Sequence, residues 1–402
     1  MIKLNTSLRK ISPEETLVHA QSYFSKLGIS RLTESTYLDK IGLPVFSCIR
    51  PAAEKGSVCV HAGKGLTRME AKASAAMEAI EFGFAEEGHS NLSFHPTAPQ
   101  KILGVESGDD AILKLCPKLH SKIDLDKEIQ ATNIFDLISG SQFCVPSELV
   151  FTPFDSVLPK YFGSHTNGLC SGNGSTEASI HGILEIVERD VVSFNSFRDD
   201  SYLVDFEGMP DSFLSIISDI LSKGFDLVLK FIDNSFKIPV FACWIIETNS
   251  RNPIYINVGY GCHIVKSIAM MRAITESIQS RLSFIHGGRD DLINDYNYYG
   301  KMTEVKRQEL FVEAVNKLRT SRTSIAYNNI PEKAWNYNDL DELLNELLEH
   351  LRKRNFSQVL QAIHTKPEDL IQVVKIIIPG MEFFTPENKR VGDRLNRFIS
   401  SI

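Results

Sequence analysis

The stretch Ser164–Asp190, SHTNGLCSGNGSTEASIHGILEIVERD, decides how the rest of this sequence is interpreted. A glycine-rich loop leads into a predicted helix that carries Glu177, His181, Glu185 and Glu188. At about 100° per residue these four side chains fall on one stripe, narrower than a quarter of a turn. The residues between them are mostly Ala, Ile, Leu and Val. Three carboxylates crowded on such a stripe repel one another, so we expect a cation among them.

The same arrangement recurs along the chain. A β-like run meets a Gly-x-Gly sequence, predicted to be a loop, and this leads into an apolar helix with polar residues at positions i, i+4 and i+7. The triplets are Ser74/Glu78/Glu81, His181/Glu185/Glu188 and Arg272/Glu276/Gln279. The units lie about a hundred residues apart, whereas repeat arrays have periods of about 20–50 residues. We therefore predict three helices that line one pocket.

The chemistry of these helices points to a magnesium–nucleotide site. A solvated helix face would show Lys at i+4 from each Glu, and almost none is present. The carboxylates can share a site only if divalent cations neutralise them, and oxygen ligands favour Mg²⁺ or Ca²⁺ over zinc. Mg²⁺ usually completes its shell with water and substrate phosphates, which arginine also suits. The carboxylates are Glu78, Glu81, Glu177, Glu185, Glu188 and Glu276, and the nearby cations are Arg189, Arg272 and Arg281.

Other motifs carry less information. Gly63-Lys64-Gly65 does not match a GxxxxGK[ST] P-loop, so a nucleotide site here would be of a non-Walker type. No kinase signature is present. We interpret His181 as a hydrogen-bonded structural residue more readily than as a catalytic one. Cys170 is either a nucleophile or, more simply, a packed side chain.

Composition sets the outer bounds. The chain has 402 residues, of which 43% are hydrophobic and 23% charged, with a formal net charge of −7. This is ordinary globular composition, and it argues against a nucleic-acid surface. The seven cysteines show no CxxC spacing and are interpreted as reduced thiols. Because the N-terminus lacks a signal peptide and no window is apolar enough to span a bilayer, we expect a soluble, cytoplasmic protein without membrane or nucleic-acid partners.

The pattern predicts a mixed α/β (α+β) fold in one domain, residues 1–402, with 88–160 as a possible peripheral layer. Ser12, Pro13 and Glu15 mark the start of a first helix with a capping box. Further helices are predicted at Arg68–Glu86, Val265–Phe284 and Asp339–Arg354. Strands are predicted at Pro44–Arg50, Ser57–His61, Gln142–Phe151, Leu227–Phe231, Val240–Glu247, Pro253–Val258, Gln358–Ile363 and Val373–Ile378.

At the stretches 63–81, 164–190 and 259–281 the sequence resembles the YcaO family. The family motif Ser-x3-Glu-x2-Glu is matched by Ser74, Glu78 and Glu81. The motif Asn-x3-Glu-x7-Glu-x2-Glu-Arg is matched by Asn173, Glu177, Glu185, Glu188 and Arg189. The motif Arg-x3-Glu-x2-Gln is matched by Arg272, Glu276 and Gln279. The likeness spans nearly the whole chain.

The resemblance implies the YcaO fold, with mixed β-sheets and helices lining a central Mg–ATP cleft. It implies that the six glutamates named above hold Mg²⁺ around ATP. It further implies nucleotide contacts from Ser74, Asn173, Glu177, Arg189, Arg272, Gln279 and Arg281, with Arg9 or Lys10 also within reach. The residues expected to act in catalysis are Glu78, Glu185, Arg189 and Arg272.

The chemistry implied by the resemblance is activation of a peptide backbone amide. A nucleophile adds to the carbonyl, ATP phosphorylates the resulting oxyanion, and phosphate then departs. A Cys, Ser or Thr side chain as nucleophile gives an azoline, external sulfide gives a thioamide, and an amine gives an amidine. Because this chemistry asks the protein mainly for positioning and charge neutralisation, a carboxylate cage with Mg²⁺ suits it.

Two departures favour the thioamide product. Azoline-forming members usually end in a proline-rich tail, whereas this sequence ends RFISSI with no proline after Pro386. Because the ATP motifs begin near residue 63, we expect no fused leader-peptide-binding domain before them. The layout therefore resembles the stand-alone YcaO proteins that work with a TfuA partner, and a homodimer is expected by the same likeness. Azoline or amidine formation stays open, as does a non-catalytic ATP-binding scaffold of a modification complex.

Overall fold

The computed structural model describes residues 1–104, 111–320 and 323–402. Its helices are α1 (Pro13–Gln21), α2 (Arg68–Ala85), α3 (Ser175–Asn195), α4 (Asp211–Ser222), α5 (Lys266–His286), α6 (Ile293–Gly300), α7 (Glu304–Arg319), α8 (Leu340–Arg352) and α9 (Asp393–Ile399). Its strands are β1 (Ile2–Lys3), β2 (Leu8–Arg9), β3 (Arg31–Glu34), β4 (Val45–Ile49), β5 (Val60–Lys64), β6 (His95–Thr97), β7 (Ile129–Asp136), β8 (Gln142–Pro146), β9 (Leu169–Gly172), β10 (Ser201–Asp205), β11 (Phe225–Ile232), β12 (Val240–Glu247), β13 (Ile256–Cys262), β14 (Ser324–Ala326), β15 (Leu360–Ile363) and β16 (Gln372–Ile377).

The strands form several sheets, so the predicted mixed α/β fold is confirmed. One sheet has the order β13-β12-β11-β10-β14, in which β10 and β14 run parallel and the other pairs antiparallel. A second has the order β6-β7-β15-β16-β9, with β8 also paired to β7. A three-stranded sheet has the order β3-β4-β5, and β1 pairs with β2. The predicted pairing of the strand after Pro253 with Val240–Glu247 is confirmed by the β12–β13 ladder.

Three strand-to-helix units bring the sheets together. Strand β5 leads into α2, β9 into α3, and β13 into α5. Each of these helices packs against the sheet that contains its own strand. The three helices predicted to share a pocket therefore each rest on a separate sheet, and the apolar residues between their polar stripes supply the cores beneath them.

The glycines in these units have a different role from the predicted one. Gly63 lies in β5, and Gly259 and Gly261 lie in β13, so these three glycines are strand residues and not the predicted loop residues. A Cβ on Gly63 would lie 2.0 Å from the backbone nitrogen of Ala75 in α2. A Cβ on Gly259 would lie 2.2 Å from the backbone nitrogen of Ser277 in α5. These glycines allow the helix to pack directly on the strand that precedes it.

Residues 88–160, predicted as a possible peripheral layer, supply β6, β7 and β8 to the second sheet. They also carry a core of their own, which includes Ile134, Leu149 and Phe151. Residues 105–110 of this stretch lie outside the described residues. Within the part of the chain that the structure describes, no helix is both long and apolar enough to cross a membrane.

Candidate functional site

A cleft of about 520 Å³ lies between α2, α3 and α5, and residues before α1 help to line it. This volume is in the range of small-molecule sites. The cleft brings together nearly all of the side chains singled out from the sequence. They are Ser74, Glu78, Glu81, Asn173, Glu177, His181, Glu185, Glu188, Arg189, Arg272, Glu276 and Gln279.

Helix α2 supplies one wall. The Oε1 atom of Glu81 accepts hydrogen bonds from the backbone nitrogen and the hydroxyl of Ser171, both at 2.8 Å, which fixes the carboxylate against strand β9. Glu78 lies one turn away, and its Oε1 is 3.9 Å from Nδ1 of the buried His61. Its side chain keeps 25% of its surface exposed because it faces the cleft.

Helix α3 supplies the second wall. Glu185 accepts a hydrogen bond from the backbone nitrogen of Gly168 at 3.1 Å, so the loop before β9 orients this carboxylate. Glu177 is held at both oxygens, by Arg9 at 3.1 Å and by the backbone nitrogen of Lys10 at 2.7 Å. Glu188 is 4% exposed and also lines the cleft. The N-terminal segment thus closes over the start of the helix.

Helix α5 supplies the third wall. Glu276 lies 2.5 Å from the ammonium group of Lys64 and 3.3 Å from the backbone nitrogen of Tyr260. The amide of Gln279 donates to the carbonyl oxygen of Ala62 at 2.6 Å, which ties α5 to strand β5. A lysine from the first unit therefore neutralises a carboxylate from the third.

His181 is placed to support Arg272. Its Nε2 lies 2.9 Å from a terminal nitrogen of Arg272 across the cleft. Burial, and then the positive charge of Arg272, lower the pKa of His181 well below its usual value. The imidazole is therefore neutral and accepts the arginine's hydrogen bond. This agrees with the structural interpretation of His181.

Burial raises the pKa of several cleft carboxyl groups. Burial and the neighbouring Glu78 and Glu185 raise the pKa of Glu81 to about 8, although its bonds to Ser171 act in the opposite direction. Burial, with Glu276 and Glu185, raises the pKa of Glu188 to about 7 despite the opposing effect of Arg189.

Two cleft residues show how nearby charges outweigh burial. Burial alone would raise the pKa of Glu276, but Lys64, followed by Arg189, outweighs it and lowers the pKa. Burial likewise opposes the charged form of Arg189, yet Glu188 and Glu185 raise its pKa. Added positive charge in the cleft would stabilise the ionised carboxylates further.

The donor set fits Mg²⁺ that is shared with a phosphorylated ligand. Within the described residues, no group of three His, Cys, Asp or Glu side chains converges closely enough to hold an ion alone. Mg²⁺ is usually bound by one or two carboxylates plus substrate phosphates and water. The buried Nε of Arg272 also has no hydrogen-bond partner among the described residues. Spread carboxylates beside an unpartnered guanidinium N–H suit such a shared arrangement.

Arg281, predicted to contact the nucleotide, is not brought to the cleft. Its guanidinium binds Asp39 at 2.8 Å and Glu247 at 2.9 Å, and its side chain is only 4% exposed. Arg281 follows Arg272 by nine residues, which at about 100° per residue places it half a turn away on α5. It is a buried structural cation behind the third wall.

The cleft also contains residues that sequence reasoning missed. Lys64 was considered only as part of a P-loop, which it does not form, yet it binds Glu276. Arg289, in the loop after α5, lines the cleft, and its charge acts on the pKa of Glu78. Lys64 could have been predicted from the need for a cation beside the clustered carboxylates. Arg289 follows no periodic pattern in the sequence that would predict its position in the cleft.

Cys170 is buried beside the cleft, with its sulfur 3.8 Å from Glu185. Burial, followed by the charges of Glu185 and Glu81, raises the pKa of its thiol well above the usual value. A thiol held in its protonated form is a poor nucleophile. We therefore interpret Cys170 as a packed side chain and not as a nucleophile.

Comparisons with known proteins agree with this geometry. The family profile described as YcaO cyclodehydratase, ATP- and Mg²⁺-binding, matches residues 62–382. An uncharacterised protein of Methanothermobacter thermautotrophicus is 33% identical, with 97% of this chain and 99% of that protein covered. A protein encoded in the tfuA 3' region of Rhizobium leguminosarum bv. trifolii is 27% identical, with 93% and 88% covered.

The fold also matches a solved structure, YcaO from Methanopyrus kandleri bound with AMPPCP and Mg²⁺. The TM-score is 0.76 at 22% identity, and the match covers 98% of this chain and 97% of that one. At this level of identity the likeness establishes the fold.

Proposed function

The chain belongs to the YcaO family, whose cofactors are ATP and Mg²⁺, and from that premise we propose that it uses ATP to phosphorylate the oxygen of a peptide backbone amide and installs a thioamide with an external sulfur donor. The observation that carries the proposal is the cleft itself. Six carboxylates from three helices, each helix resting on its own sheet, face one cavity together with Arg189 and Arg272. Such a cavity suits a polyphosphate with its metal ions.

The carboxylates and the arginines of the cleft would have separate roles. Glu78 and Glu81 on one wall, and Glu177, Glu185, Glu188 and Glu276 on the others, would hold Mg²⁺, with Arg9 beside Glu177. These carboxylates would hold Mg²⁺, which would supply neutralisation of the phosphate charge.

The arginines and amides of the cleft would orient the nucleotide. Arg272, held by His181, and Arg189, held by Glu188, would donate to phosphate oxygens. Gln279 would contact the rest of the nucleotide, whereas the amide nitrogen of Asn173 already donates to Thr16 and Glu177. No side-chain nucleophile is needed, which agrees with the protonated state of Cys170.

Sulfur as the incoming nucleophile is supported by the relative in the tfuA 3' region. Helix α9 lies on the side of α3 away from the cleft, where Phe398 packs on Phe194 and Arg394 binds Asp190 at 2.5 Å. No described residue of α9 lines the cleft. We infer a TfuA-like protein as the partner that delivers sulfur. The homodimer expected from the family likeness stays a prediction, which light scattering tests.

The second candidate is azoline formation, favoured by the family description as cyclodehydratase. The two products differ in mass, because a thioamide exchanges oxygen for the heavier sulfur whereas cyclodehydration removes water. A non-catalytic scaffold is disfavoured, because a degenerate site would lose its metal ligands and here all six glutamates face the cleft.

Radioactive sulfide tests the proposal without a known substrate. Desalted lysate from cells of the source organism that lack this protein is incubated with ³⁵S-sulfide, the purified protein and a TfuA-like partner, with and without Mg–ATP. We expect ATP-dependent label in peptide or protein that resists reduction by dithiothreitol. Mass loss by dehydration without label would favour azoline formation.

Glu78→Gln is the matched control, since it keeps the shape of the side chain and removes its charge. We expect this variant to lose both Mg–ATP binding and labelling. Labelling that survived the loss of Mg–ATP binding would contradict the proposed use of ATP.

A further inference from the structure

A second cavity of about 700 Å³ lies beside the cleft, and Asn173 lines both. Its walls come from β7, β15, the N-terminus of α3 and the segment 365–372. The family motifs assign nothing to this cavity apart from Asn173. This second cavity adjoins the proposed site of amide activation.

The boundary between the two cavities is fixed by Glu177. Arg9 lines the cleft, and Lys10 lines the second cavity. Glu177 accepts a hydrogen bond from the Arg9 side chain at 3.1 Å and another from the Lys10 backbone nitrogen at 2.7 Å. The amide nitrogen of Asn173 donates to Glu177 at 3.3 Å and to Thr16 at 3.0 Å. Consecutive residues of one segment therefore serve the two cavities.

The boundary leaves polar groups without partners. Asn173 is 7% exposed, and its Oδ1 accepts no hydrogen bond from the residues that the structure describes. Helix α3 begins after Gly174 with no side-chain cap, so within the described part of the chain its first backbone N–H groups lack a side-chain acceptor. The ammonium group of Lys10 has no acceptor among the described residues. A ligand that offers both N–H donors and carbonyl acceptors would satisfy all three.

The rest of the wall combines apolar side chains with carboxamides. Phe135 and Leu370 each expose 54% of their surface, and both line this one cavity. Asn91 and Asn133 also line the cavity, and their side-chain amides make no hydrogen bond to a described residue. A carboxamide both donates and accepts, as a peptide group does.

We propose that this second cavity binds an extended segment of the peptide substrate and leads it past Asn173 to the cleft. The inference rests on the proposed function, because it assumes that a backbone amide is activated there. Carboxamides and the free groups of Asn173 and α3 would pair with the peptide backbone, while Phe135 and Leu370 would contact its side chains.

The charges of the cavity favour a peptide over a second nucleotide. Lys10 is the only lysine or arginine described in its wall, Asp369 the only carboxylate and His19 the only histidine. Asp369 is already bound by the hydroxyl of Tyr23 at 3.3 Å and by the backbone nitrogen of Lys366 at 2.7 Å. A single free lysine is a poor match for a polyphosphate, but it suffices for a carbonyl or a carboxylate.

The test uses short peptides of randomised sequence with blocked ends. They are selected on immobilised full-length protein saturated with Mg–AMPPCP, and the enriched peptides are then labelled and titrated in fluorescence anisotropy. We expect Phe135→Ala to weaken peptide binding by about tenfold or more, because a few apolar anchors carry most of the binding free energy of an interface. Leu370→Ala is the second variant, and it should act in the same direction.

Tyr37→Ala is the matched control, because Tyr37 is an aromatic residue that is 78% exposed and lies outside both cavities. We expect it to leave peptide binding unchanged, and all three variants to bind Mg–AMPPCP as the parent protein does. Absence of any enriched peptide, or equal binding by Phe135→Ala and Tyr37→Ala, would overturn the inference while leaving the proposed function intact. Failure of the parent protein to bind Mg–AMPPCP would instead overturn the proposed function.

A second copy of the chain is the other occupant to consider. In that case Phe135→Ala would reduce the mass measured by light scattering and leave peptide binding unchanged. That result would also overturn the inference.

Discussion

Arg272 and Arg281 lie on the same helix, nine residues apart, and the structure assigns them opposite roles. Arg281 is 4% exposed at its side chain and binds Asp39, which is 6% exposed, and Glu247. Replacing it by Met leaves the Asp39 carboxylate buried without its cation, while Glu247 keeps Lys40 at 3.2 Å. Removing one partner of a buried ion pair costs about 3–5 kcal/mol. We therefore expect Arg281→Met to lower the free energy of unfolding by about this amount.

Arg272→Met should give the reverse pattern. The hydrogen bond to the neutral His181 is the only one that Arg272 makes to a described side chain, so the folded state loses little. A hydrogen bond to a charged group contributes about 1.5–3 kcal/mol. Loss of one such bond to a phosphate would raise the Kd for Mg–ATP by about 10- to 150-fold.

Urea unfolding followed by circular dichroism measures the stability of both variants, and isothermal titration calorimetry with Mg–AMPPCP measures nucleotide binding. The placement of α5 predicts that Arg281→Met loses stability and keeps its Kd, and that Arg272→Met does the opposite. If Arg281→Met weakened nucleotide binding at unchanged stability, the orientation of α5 would be wrong.

Three further predictions follow from the same geometry. Glu188→Gln should abolish ATP turnover measured by phosphate release without lowering stability, because it removes one of several mutually repelling carboxylates; a drop in stability would contradict this. Gly63→Ala should lower the urea midpoint by the equivalent of about 3 kcal/mol, because its Cβ would lie 2.0 Å from the backbone nitrogen of Ala75. Gly300→Ala is the control and should leave the midpoint unchanged, because its Cβ would have no neighbouring atom within 4 Å among the described residues. Chelation of divalent cations should weaken ATP binding in calorimetry by about tenfold or more, since carboxylates and phosphates then repel one another; unchanged affinity would rule out a metal-bridged site.

The sequence predicted the site better than it predicted the backbone around it. Polar stripes on apolar helices are a strong signal, because the 3.6-residue period fixes which side chains share a face. Glu78, Glu185 and Glu276 therefore meet as expected, although they are separated by about a hundred residues each. The prediction for Arg281 was wrong because nine residues, at about 100° each, place its side chain on the opposite face of α5 from Arg272.

Features that depend on tertiary packing were harder to predict. Gly63 and Gly259 were interpreted as loop residues, because glycine favours turns, yet each permits close contact between a strand and a helix. Lys64 was missed as a neutralising cation because its partner, Glu276, is on a helix more than two hundred residues away. The N-terminal segment that binds Glu177 through Arg9 gave no periodic signal.

The central claim is that the three helices bind metal ions together with a nucleotide, and the binding of Mn²⁺ in place of Mg²⁺ tests it most directly. Electron paramagnetic resonance measures the free Mn²⁺ that remains as the ion is titrated into the protein, with and without AMPPCP. Because no three carboxylates converge within the described residues, we predict tight Mn²⁺ binding only when the nucleotide is present, and fewer bound ions in Glu276→Gln. Equal binding of Mn²⁺ without nucleotide, or an unchanged number of bound ions in Glu276→Gln, would contradict the account.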